Sequence, residues 1–374
     1  MSLSVLILGT GDNLALSAVR LLGLSNNNMI LHALSHSGER FNVPEYSRYI
    51  SSKNTYSSDL NNSKEFGEEL LNIVHRTGAD IIIPTDEQYI VALSSIASML
   101  DGKVIIPRSV EAKEFNRLIY KNELHDLLKE CGLETPWTVV IDENKSVVEY
   151  QEYLPALVKP VHLGGGYGIQ MINSVDELEE YLKSKDQIPF VNPDDSFILQ
   201  ELIPGYNIDC SLLADKGRLV AVTVQRAIAE PGYQYPTAIE FLESELITDY
   251  AEKLIERTGF SGLAHLDFRM DERDHQPKLI DFNARVWRSM IGSKEAGVNF
   301  MELWVDTLLG KETEKPEVRT GEYYMKKNAL KGLKRQWSGR ASDQDFISTD
   351  LKYRLRDPLP EVVAIWSRVM SRFI

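Results

Sequence analysis

The sequence is poor in cysteine and has no surplus of positive charge. Its two cysteines, Cys131 and Cys210, belong to neither a CxxC pair nor a Cys/His cluster. We therefore expect neither a disulfide framework nor a zinc site, and reduced thiols favour a cytoplasmic protein. The net charge of -14 argues against nucleic-acid binding, because contacts to a phosphate backbone require a surplus of Lys and Arg. An acidic chain is still compatible with a local cationic pocket for a small anion.

Long apolar runs are also missing. No stretch approaches the roughly 18 apolar residues of a membrane span, so we expect no membrane partner. The run MSLSVLILGTG is too short for a signal peptide and lacks basic residues. A Walker GxxxxGK[ST] motif is absent as well. Apolar residues nevertheless make up 43% of the chain, which is enough for a substantial core.

Alternating strand and helix patterns occupy the first part of the chain. The segments SVLILG, MILHALS, DIIIPT and KVIIP read as strands, with helical segments between them. Such alternation predicts a parallel, Rossmann-like α/β domain, which we place at residues 1–108. Residues 109–134 read as a helical connector that ends at Gly132.

The remaining residues predict mixed α+β structure. We expect a small unit over residues 135–200 and a larger unit over residues 201–310, in which two strands flank Asp274. Residues 311–374 change character, with the basic segment MKKNALKGLKRQWSGR followed by an amphipathic helical pattern. No internal repeat is visible.

A glycine turn after the first strand resembles part of a dinucleotide fingerprint. Gly9 and Gly11 fit the pattern, but Leu14 takes the third glycine position, and Ser35 and His36 stand where a ribose-binding acid is expected. A tight strand-to-helix turn is a sufficient explanation for these glycines. A nicotinamide oxidoreductase is therefore only a minor alternative.

The strands GLAHLDFRM and PKLIDFNAR carry the strongest chemical signal. A hairpin centred on Asp274 would place Asp267 directly opposite Asp281. Carboxylates about 5 Å apart repel by about 3 kcal/mol at an effective dielectric of about 20. A divalent cation between them would remove this penalty.

Two further residues extend the same face of the second strand. Asn283 supplies another oxygen ligand of the kind magnesium prefers, and Arg285 has the geometry to bind a phosphate. The pattern predicts a metal–phosphate site. A polar strand facing solvent is the alternative for any one of these residues.

A glycine-rich segment supplies a possible phosphate loop. In VKPVHLGGGYGI, Lys159 ends a strand and is followed by four glycines, namely Gly164, Gly165, Gly166 and Gly168. Dense glycine lets backbone amides approach phosphate oxygens. An ordinary glycine-rich hairpin remains an equal alternative.

Taken together, residues 1–310 resemble the ATP-grasp superfamily. The segment LIDFNARVWRSMIGSKEAG is similar to the metal-binding segment of the carbamoyl phosphate synthetase large subunit, where an acid-x-Asn-x-Arg strand precedes a Ser/Lys-rich stretch. The resemblance implies an N-terminal pre-ATP-grasp domain, a two-part ATP-grasp fold made of a small lid and a large subdomain, and a C-terminal extension. ATP would lie between the lid and the large subdomain. The chain contains one such core without a duplicated half.

The resemblance also implies roles for individual residues. Asp267, Asp281 and Asn283 would hold two magnesium ions that bridge the β- and γ-phosphates. Arg285 would stabilise the transferring phosphoryl group, and Arg288 would face the acyl phosphate.

The same resemblance assigns the nucleotide contacts. Lys121 and Lys159 would be cationic phosphate contacts beside the glycine loop. Glu201, Leu202 and Ile203 would form the hinge that reads adenine. The usual ribose glutamate is replaced by Asn207, so that Asp209 is the substitute.

These assignments predict an ADP-forming carboxylate–amine ligase that forms a C–N bond through an acyl phosphate. Its substrates would be ATP, a small-molecule carboxylate and an amine, and a homodimer is one option for its assembly. Arg226 and the loop EPGYQYPT (230–237) are candidates for contacting substrate, with a plain surface loop as an equal alternative. Two other functions remain open: an enzyme that phosphorylates bicarbonate or another small acid, and a non-catalytic ATP-binding protein.

Overall fold

The computed structural model describes residues 2–11, 14–25, 27–39, 42–161, 163–192, 195–228, 235–338 and 346–370. Three sheets organise these residues, two of four strands and one of seven. In the ranges described, no helix is long and apolar enough to cross a membrane.

The N-terminal part is a four-stranded parallel sheet with helical crossovers. Its strands pair in the order β3-β2-β1-β4 and comprise β1 (Leu3–Leu8), β2 (Met29–His36), β3 (Ile50–Tyr56) and β4 (Ile81–Pro84). Its helices are α1 (Ala15–Gly23), α2 (Ser63–Thr77), α3 (Glu87–Ser95) and α4 (Ala97–Leu100). Strands β1 and β4 are buried along almost their whole length, which explains their continuous apolar sequence.

Two details of this sheet differ from the expectation. Strand β3 was not predicted, because its sequence ISSKNTY is polar and lies at a sheet edge where alternate residues face solvent. The segment KVIIP was predicted as a strand, but there Ile105 forms only an isolated bridge with Ile81. A segment this short, closed by Pro107, does not extend into a ladder.

The connector contains two helices, α5 (Ala112–Ile119) and α6 (Lys121–Glu130). They separate at Tyr120, whose backbone is extended. The small unit that follows has an antiparallel sheet in the order β5-β8-β6-β7, made of β5 (Thr138–Val140), β6 (Ala156–Pro160), β7 (Gln170–Ile172) and β8 (Phe197–Glu201). Helix α7 (Val175–Lys183) packs on it, with Ser174 capping its first turn.

The large sheet has the strand order β13-β12-β9-β10-β11-β14-β15. Its first five strands in sequence are β9 (Gly205–Asp215), β10 (Arg218–Ala227), β11 (Ala238–Leu242), β12 (Gly262–Asp271) and β13 (Pro277–Asn283). Residues after 310 add β14 (Gly321–Tyr324) and β15 (Phe346–Thr349) to the same sheet. The associated helices are α8 (Glu245–Thr258), α9 (Met290–Glu295), α10 (Phe300–Leu308), α11 (Ala329–Trp337), α12 (Leu351–Arg356) and α13 (Leu359–Met370).

Alternation along β12 divides its side chains between a core and an open face. Leu266 and Phe268 are fully buried in a cluster that also contains residues of α5, α6 and α8. The intervening residues His265, Asp267 and Arg269 point to the opposite face. The helices therefore cover one side of the hairpin and leave its polar side to form a site.

A buried ion pair joins the two ends of the chain. Arg20 of α1 donates from Nε to the Asp357 carboxylate at 3.1 Å and from Nη2 to the Asp357 carbonyl at 2.9 Å. The same carboxylate accepts hydrogen bonds from the Ser47 hydroxyl and the Arg48 amide, each at 2.9 Å. Asp357 is 1% exposed and Arg20 is 4% exposed. Water is therefore excluded from a contact that spans most of the sequence.

Replacing Asp357 with Ala should strongly destabilise the protein. The substitution leaves the buried Arg20 charge without its one fully buried carboxylate partner, and breaking a buried ion pair typically costs about 3 kcal/mol or more. We expect a loss of this size in the free energy of unfolding measured by urea denaturation. Glu361→Gln is the matched control, because Glu361 also contacts Arg20 but is 30% exposed, and it should cost less than about 1 kcal/mol. Equal losses in the two variants would contradict this assignment.

Candidate active site

The predicted hairpin is present with the predicted pairing. Strands β12 and β13 run antiparallel, Asp267 lies opposite Asp281, and His265 lies opposite Asn283. A β-bulge shifts the register beyond this point, because Phe268 pairs with Leu279 and Ile280 is left as the extra residue. Without the bulge, the side chain of Asp281 would point towards the helices and away from Asp267. A register shift of one residue moves every side chain of a strand to the opposite face.

The two aspartates form an electrostatically strained pair. Burial in the cleft and the neighbouring Asp281 charge raise the pKa of Asp267 to about 7. Lys121 supplies one compensating charge, with its Nζ 3.2 Å from the Asp281 carboxylate. A divalent cation between the aspartates would supply the rest, since carboxylates are favoured ligands of such ions.

Asn283 and Arg285 continue this polar face. The Asn283 amide donates to Asp267 at 3.3 Å, and Arg285 Nη2 donates to the Asn283 side-chain oxygen at 2.8 Å. Arg285 Nε also lies 3.5 Å from the carboxylate of Glu87, the first residue of α3. The Arg285 guanidinium therefore contacts both Asn283, a candidate metal ligand, and Glu87 of the N-terminal domain. Burial raises the pKa of Glu87 to about 8, against the opposing effect of Arg285.

Two buried lysines line the other side of the cleft. Lys121 at the start of α6 is 6% exposed and donates to the Leu163 carbonyl at 2.9 Å. Lys159 at the end of β6 is 4% exposed and donates to the Gln200 side-chain oxygen at 2.6 Å. Burial, reinforced by the Lys121 charge, lowers the pKa of Lys159 to about 8. Such closely placed cations suit a polyanionic ligand.

The glycine segment lies directly over the polar face. A Cβ on Gly164 would be 3.5 Å from Arg285 Nη2, and a Cβ on Gly165 would be 2.4 Å from the Tyr235 hydroxyl oxygen. Gly165 and Gly166 also have φ angles of 74° and 78°, which favour glycine. Gly168 instead packs against Pro160 and does not line the cavity described below.

The predicted hinge connects the small unit to the large sheet. Glu201 ends β8, its carboxylate accepts from the Trp137 amide at 3.3 Å, and it forms an ion pair with Arg273. Leu202 and Ile203 follow, and the Ile203 carbonyl accepts from Arg269 Nε at 3.1 Å. Leu202, with 38% of its surface exposed, is accessible to a ligand in the cleft.

Asp209 extends the row of acids onto a third strand. On β9 it lies opposite Asp267, and ligand atoms of Asp209, His265 and Asp267 lie within 4.8 Å of one another. Burial lowers the pKa of His265 to about 3, with Arg285 contributing. The imidazole is therefore neutral, and its Nδ1 lies 2.9 Å from the Ser211 hydroxyl. Asn207, at the position of the usual ribose acid, instead accepts a hydrogen bond from Arg269 at 3.0 Å.

These groups surround one cavity of about 600 Å³. Of the sequence-predicted site residues, all except Gly168 line it, namely Lys121, Lys159, Gly164, Gly165, Gly166, Glu201, Leu202, Ile203, Asp209, Asp267, Asp281, Asn283, Arg285 and Arg288. The cavity lies between the small unit and the large sheet. Its volume suits a nucleotide or a ligand of similar size.

Several residues of the site were missed from the sequence. Gln225 and Trp287 line the same cavity, and the Trp287 ring stacks on His265 with centroids 5.9 Å apart. Continued alternation through Asp281, Asn283 and Arg285 is a signal that would have identified Trp287. Glu87 follows the buried run IIIPT. Because ligands often bind at the carboxyl ends of parallel strands, an acid at this position could have been predicted as a site residue.

The candidate substrate loop is described only in part. Residues 229–234 lie outside the described ranges, so the expectation for EPGYQYPT is assessed only at its end. There, the Tyr235 ring lies under the Arg288 guanidinium at 4.2 Å. Arg226 forms an exposed ion pair with Glu240 at 2.9 Å and does not line the cavity.

The glycine turn after β1 is packed by protein side chains. A Cβ on Gly9 would be 2.2 Å from the Tyr89 ring, and a Cβ on Gly11 would be 1.8 Å from the Glu39 carboxylate. A carboxylate next to this turn would repel a pyrophosphate. The packing therefore accounts for the glycines and disfavours a nicotinamide dinucleotide.

Comparison with known proteins gives one family match and many relatives. The family described as "ATP-grasp in the biosynthetic pathway with Ter operon" matches residues 194–329. Over 273 residues the chain is 22% identical to the carbamoyl phosphate synthase large chain, C-terminal section, of Methanopyrus kandleri. That alignment covers 67% of this chain and 47% of the relative. The chain thus matches less than half of the length of this curated relative.

Solved structures extend the likeness over most of the chain. N5-carboxyaminoimidazole synthetase from Staphylococcus aureus, complexed with ADP, has a TM-score of 0.67 at 15% identity, covering 93% of this chain and 92% of that chain. L-amino acid ligase from Bacillus licheniformis has a TM-score of 0.66 at 18% identity, with coverages of 90% and 85%. These likenesses show the mixed α/β fold. The chain therefore carries an ATP-grasp domain, matched over residues 194–329, and is homologous to the carbamoyl phosphate synthase large chain.

Proposed function

We propose that the protein is an ATP-dependent, ADP-forming carboxylate–amine ligase that acts through an acyl phosphate. The observation that carries the proposal is the alignment of Asp267 and Asp281 across the β12–β13 hairpin, with Asn283 and Arg285 on the same face. Two buried lysines and a glycine loop face this group in the same cavity. The arrangement suits transfer of a phosphoryl group from a nucleotide.

The donor set fits magnesium. Asp267, Asp281 and Asn283 offer hard oxygen ligands, and burial together with the Asp281 charge raises the pKa of Asp267 to about 7, a shift that a bound cation would oppose. We assign two magnesium ions to these residues, where they would neutralise charge on the β- and γ-phosphates.

The remaining groups bind and orient the reactants. Lys121 and Lys159 contact phosphate oxygens, while the amides of Gly164–Gly166 approach the phosphates from above. Residues 201–203 contact the adenine, and Asp209 takes the place of the ribose acid. Arg285 stabilises charge on the transferring phosphoryl group as the substrate carboxylate attacks, and Arg288 holds the resulting acyl phosphate. An amine then displaces phosphate and forms the amide.

Bicarbonate is the principal alternative to an organic carboxylate. The chain is homologous to the carbamoyl phosphate synthase large chain, and the same charged groups would also stabilise carboxyphosphate. Both substrates would use Arg285 and Arg288 in the same way, so the geometry favours neither.

Release of ADP tests the proposed function. Purified protein with Mg²⁺ and ATP is assayed against bicarbonate, the common L-amino acids and small hydroxy acids, with hydroxylamine added to trap an acyl phosphate as a hydroxamate. We expect ADP release that depends on one carboxylate, together with its hydroxamate. Stimulation by bicarbonate alone would favour the carboxyphosphate reaction. Tight ATP binding with no stimulation by any acid would refute the ligase and favour a non-catalytic binding protein.

Asp281→Asn should abolish turnover without unfolding the protein. The substitution keeps the size of the side chain but removes the negative charge that lies opposite Asp267 and forms the ion pair with Lys121. We expect a decrease of about 100-fold or more in carboxylate-dependent ADP release, because metal ions supply several kcal/mol of charge stabilisation. Asp274→Asn, in the exposed turn of the same hairpin, is the matched control and should retain activity. An active Asp281 variant would refute the metal assignment.

Nucleotide affinity should decrease at alkaline pH. Since the pKa of Lys159 is about 8, the lysine is charged below this pH and loses its charge above it. Binding a phosphate then requires proton uptake, so the Kd for ADP should rise above pH 8, approaching about tenfold per pH unit. Calorimetric titrations between pH 7 and 9.5 would measure this slope. Lys159→Met should bind ADP weakly at every pH, and the same slope in this variant would contradict the assignment.

A further inference from the structure

A second cavity adjoins the nucleotide-sized one on the side of the N-terminal domain. Its volume is about 600 Å³, and it shares Arg285 and Arg288 with the first cavity. The wall that faces these arginines contains Asp86 and Glu87, at the start of α3. The two arginines and the two acids thus lie on different elements that surround the second cavity. This cavity is next to the position proposed for the acyl phosphate.

Glu87 depends on Arg285 for charge compensation. The Glu87 side chain is 21% exposed, and within the described ranges Arg285, at 3.5 Å, is the only cation within ion-pair distance of it. Arg285 also donates to Asn283 and, in the proposed reaction, binds a phosphoryl group. When a phosphate engages Arg285, Glu87 is left without an adequate partner. Burial already raises the pKa of Glu87 to about 8, so without a cation this carboxyl group takes up a proton, whereas a cationic ligand in the cavity would hold it ionised and gain a charge-assisted contact.

The cavity also has an aromatic and apolar side. Tyr167 and Phe190 form an edge-to-face pair with centroids 5.0 Å apart, and Leu14 and Ile119 line the same space. Phe190 is 70% exposed and has a φ of 68°. A bulky residue in the left-handed region is rare, and such strain concentrates at ligand contacts. An exposed aromatic ring at the cavity edge can cover the apolar body of a ligand.

We propose that the second cavity binds the amine substrate as an ammonium ion with an apolar body, with Glu87 as the carboxylate that binds the ammonium group and Tyr167 and Phe190 as the cover. This inference rests on the ligase function proposed above and names the amine class. The amine nitrogen forms the C–N bond as the bond between the acyl carbon and the phosphate oxygen breaks. Of the two protons lost by the ammonium ion, one passes to Glu87 and one leaves with inorganic phosphate.

Direct binding tests the amine site without knowledge of the carboxylate. The probes are 2-phenylethylamine, which is cationic at pH 7, and its neutral isostere 2-phenylethanol. Each is titrated by calorimetry into the full chain with Mg²⁺ and a non-hydrolysable ATP analogue, whose γ-phosphate engages Arg285 in the proposed reaction. We expect the amine to bind at least about tenfold more tightly than the alcohol, because a charge-assisted contact with a mostly buried carboxylate is strong.

Two variants assign this preference to Glu87. Glu87→Gln should bind the two probes with similar affinity. Glu68→Gln makes the same change at an exposed site on α2 of the same domain and should keep the preference. Equal binding of both probes to the unmodified protein would overturn the proposal, as would a preference that persists in Glu87→Gln.

A second measurement separates amine binding from a general effect on Arg285. With the carboxylate found in the ADP assay, amide formation from 2-phenylethylamine is compared with hydroxamate formation from neutral hydroxylamine. Loss of the Glu87–Arg285 contact alone would lower both rates equally. We expect the ratio of amide to hydroxamate to fall at least about tenfold in Glu87→Gln, and an unchanged ratio would overturn the proposal. Absence of hydroxamate with every acid refutes the ligase function instead, while the binding result still decides the ammonium site.

Discussion

The repulsion between Asp267 and Asp281 is the constraint on which the rest of the site depends. The hairpin register places the two carboxylates opposite each other, and two like charges in a cleft require compensation by cations. Lys121 from the connector meets Asp281, and Arg285 reaches both Asn283 and Glu87. Four parts of the chain therefore converge on one negative centre. In the proposed function, this centre is also where the metal–nucleotide complex would bind.

The charges of the site are shared rather than assigned in fixed pairs. Arg285 serves Glu87 and Asn283 in the protein alone, and a phosphoryl group would compete for the same guanidinium. Each reactant that enters would thus change the partner available to the next one. This sharing would favour an ordered assembly of nucleotide, carboxylate and amine. A phosphate that binds Arg285 would leave Glu87 available for a cation, so that the binding of the anion would strengthen the binding of the cation.

Much of the fold and of the site could be predicted from local patterns. Apolar runs identified β1, β2 and β4, and alternation around Asp274 gave the face of β12 and the pairing of Asp267 with Asp281. Prediction failed where tertiary context decides. Strand β3 is polar because it lies at an edge, and KVIIP is apolar without forming a ladder. Glu87 comes to the site from the N-terminal domain, and the periodicity of the sequence does not encode this convergence.

The contact between Arg20 and Asp357 has a consequence for the order of events during synthesis. Helix α1 emerges early from a ribosome, whereas the carboxylate that neutralises Arg20 belongs to residue 357. Until that residue is made, the guanidinium must stay hydrated, and the surface of α1 around it must stay open to water. The packing of α1 against the segment around Asp357 must therefore wait until that segment has been made. Formation of this contact is thus coupled to synthesis of the chain through residue 357.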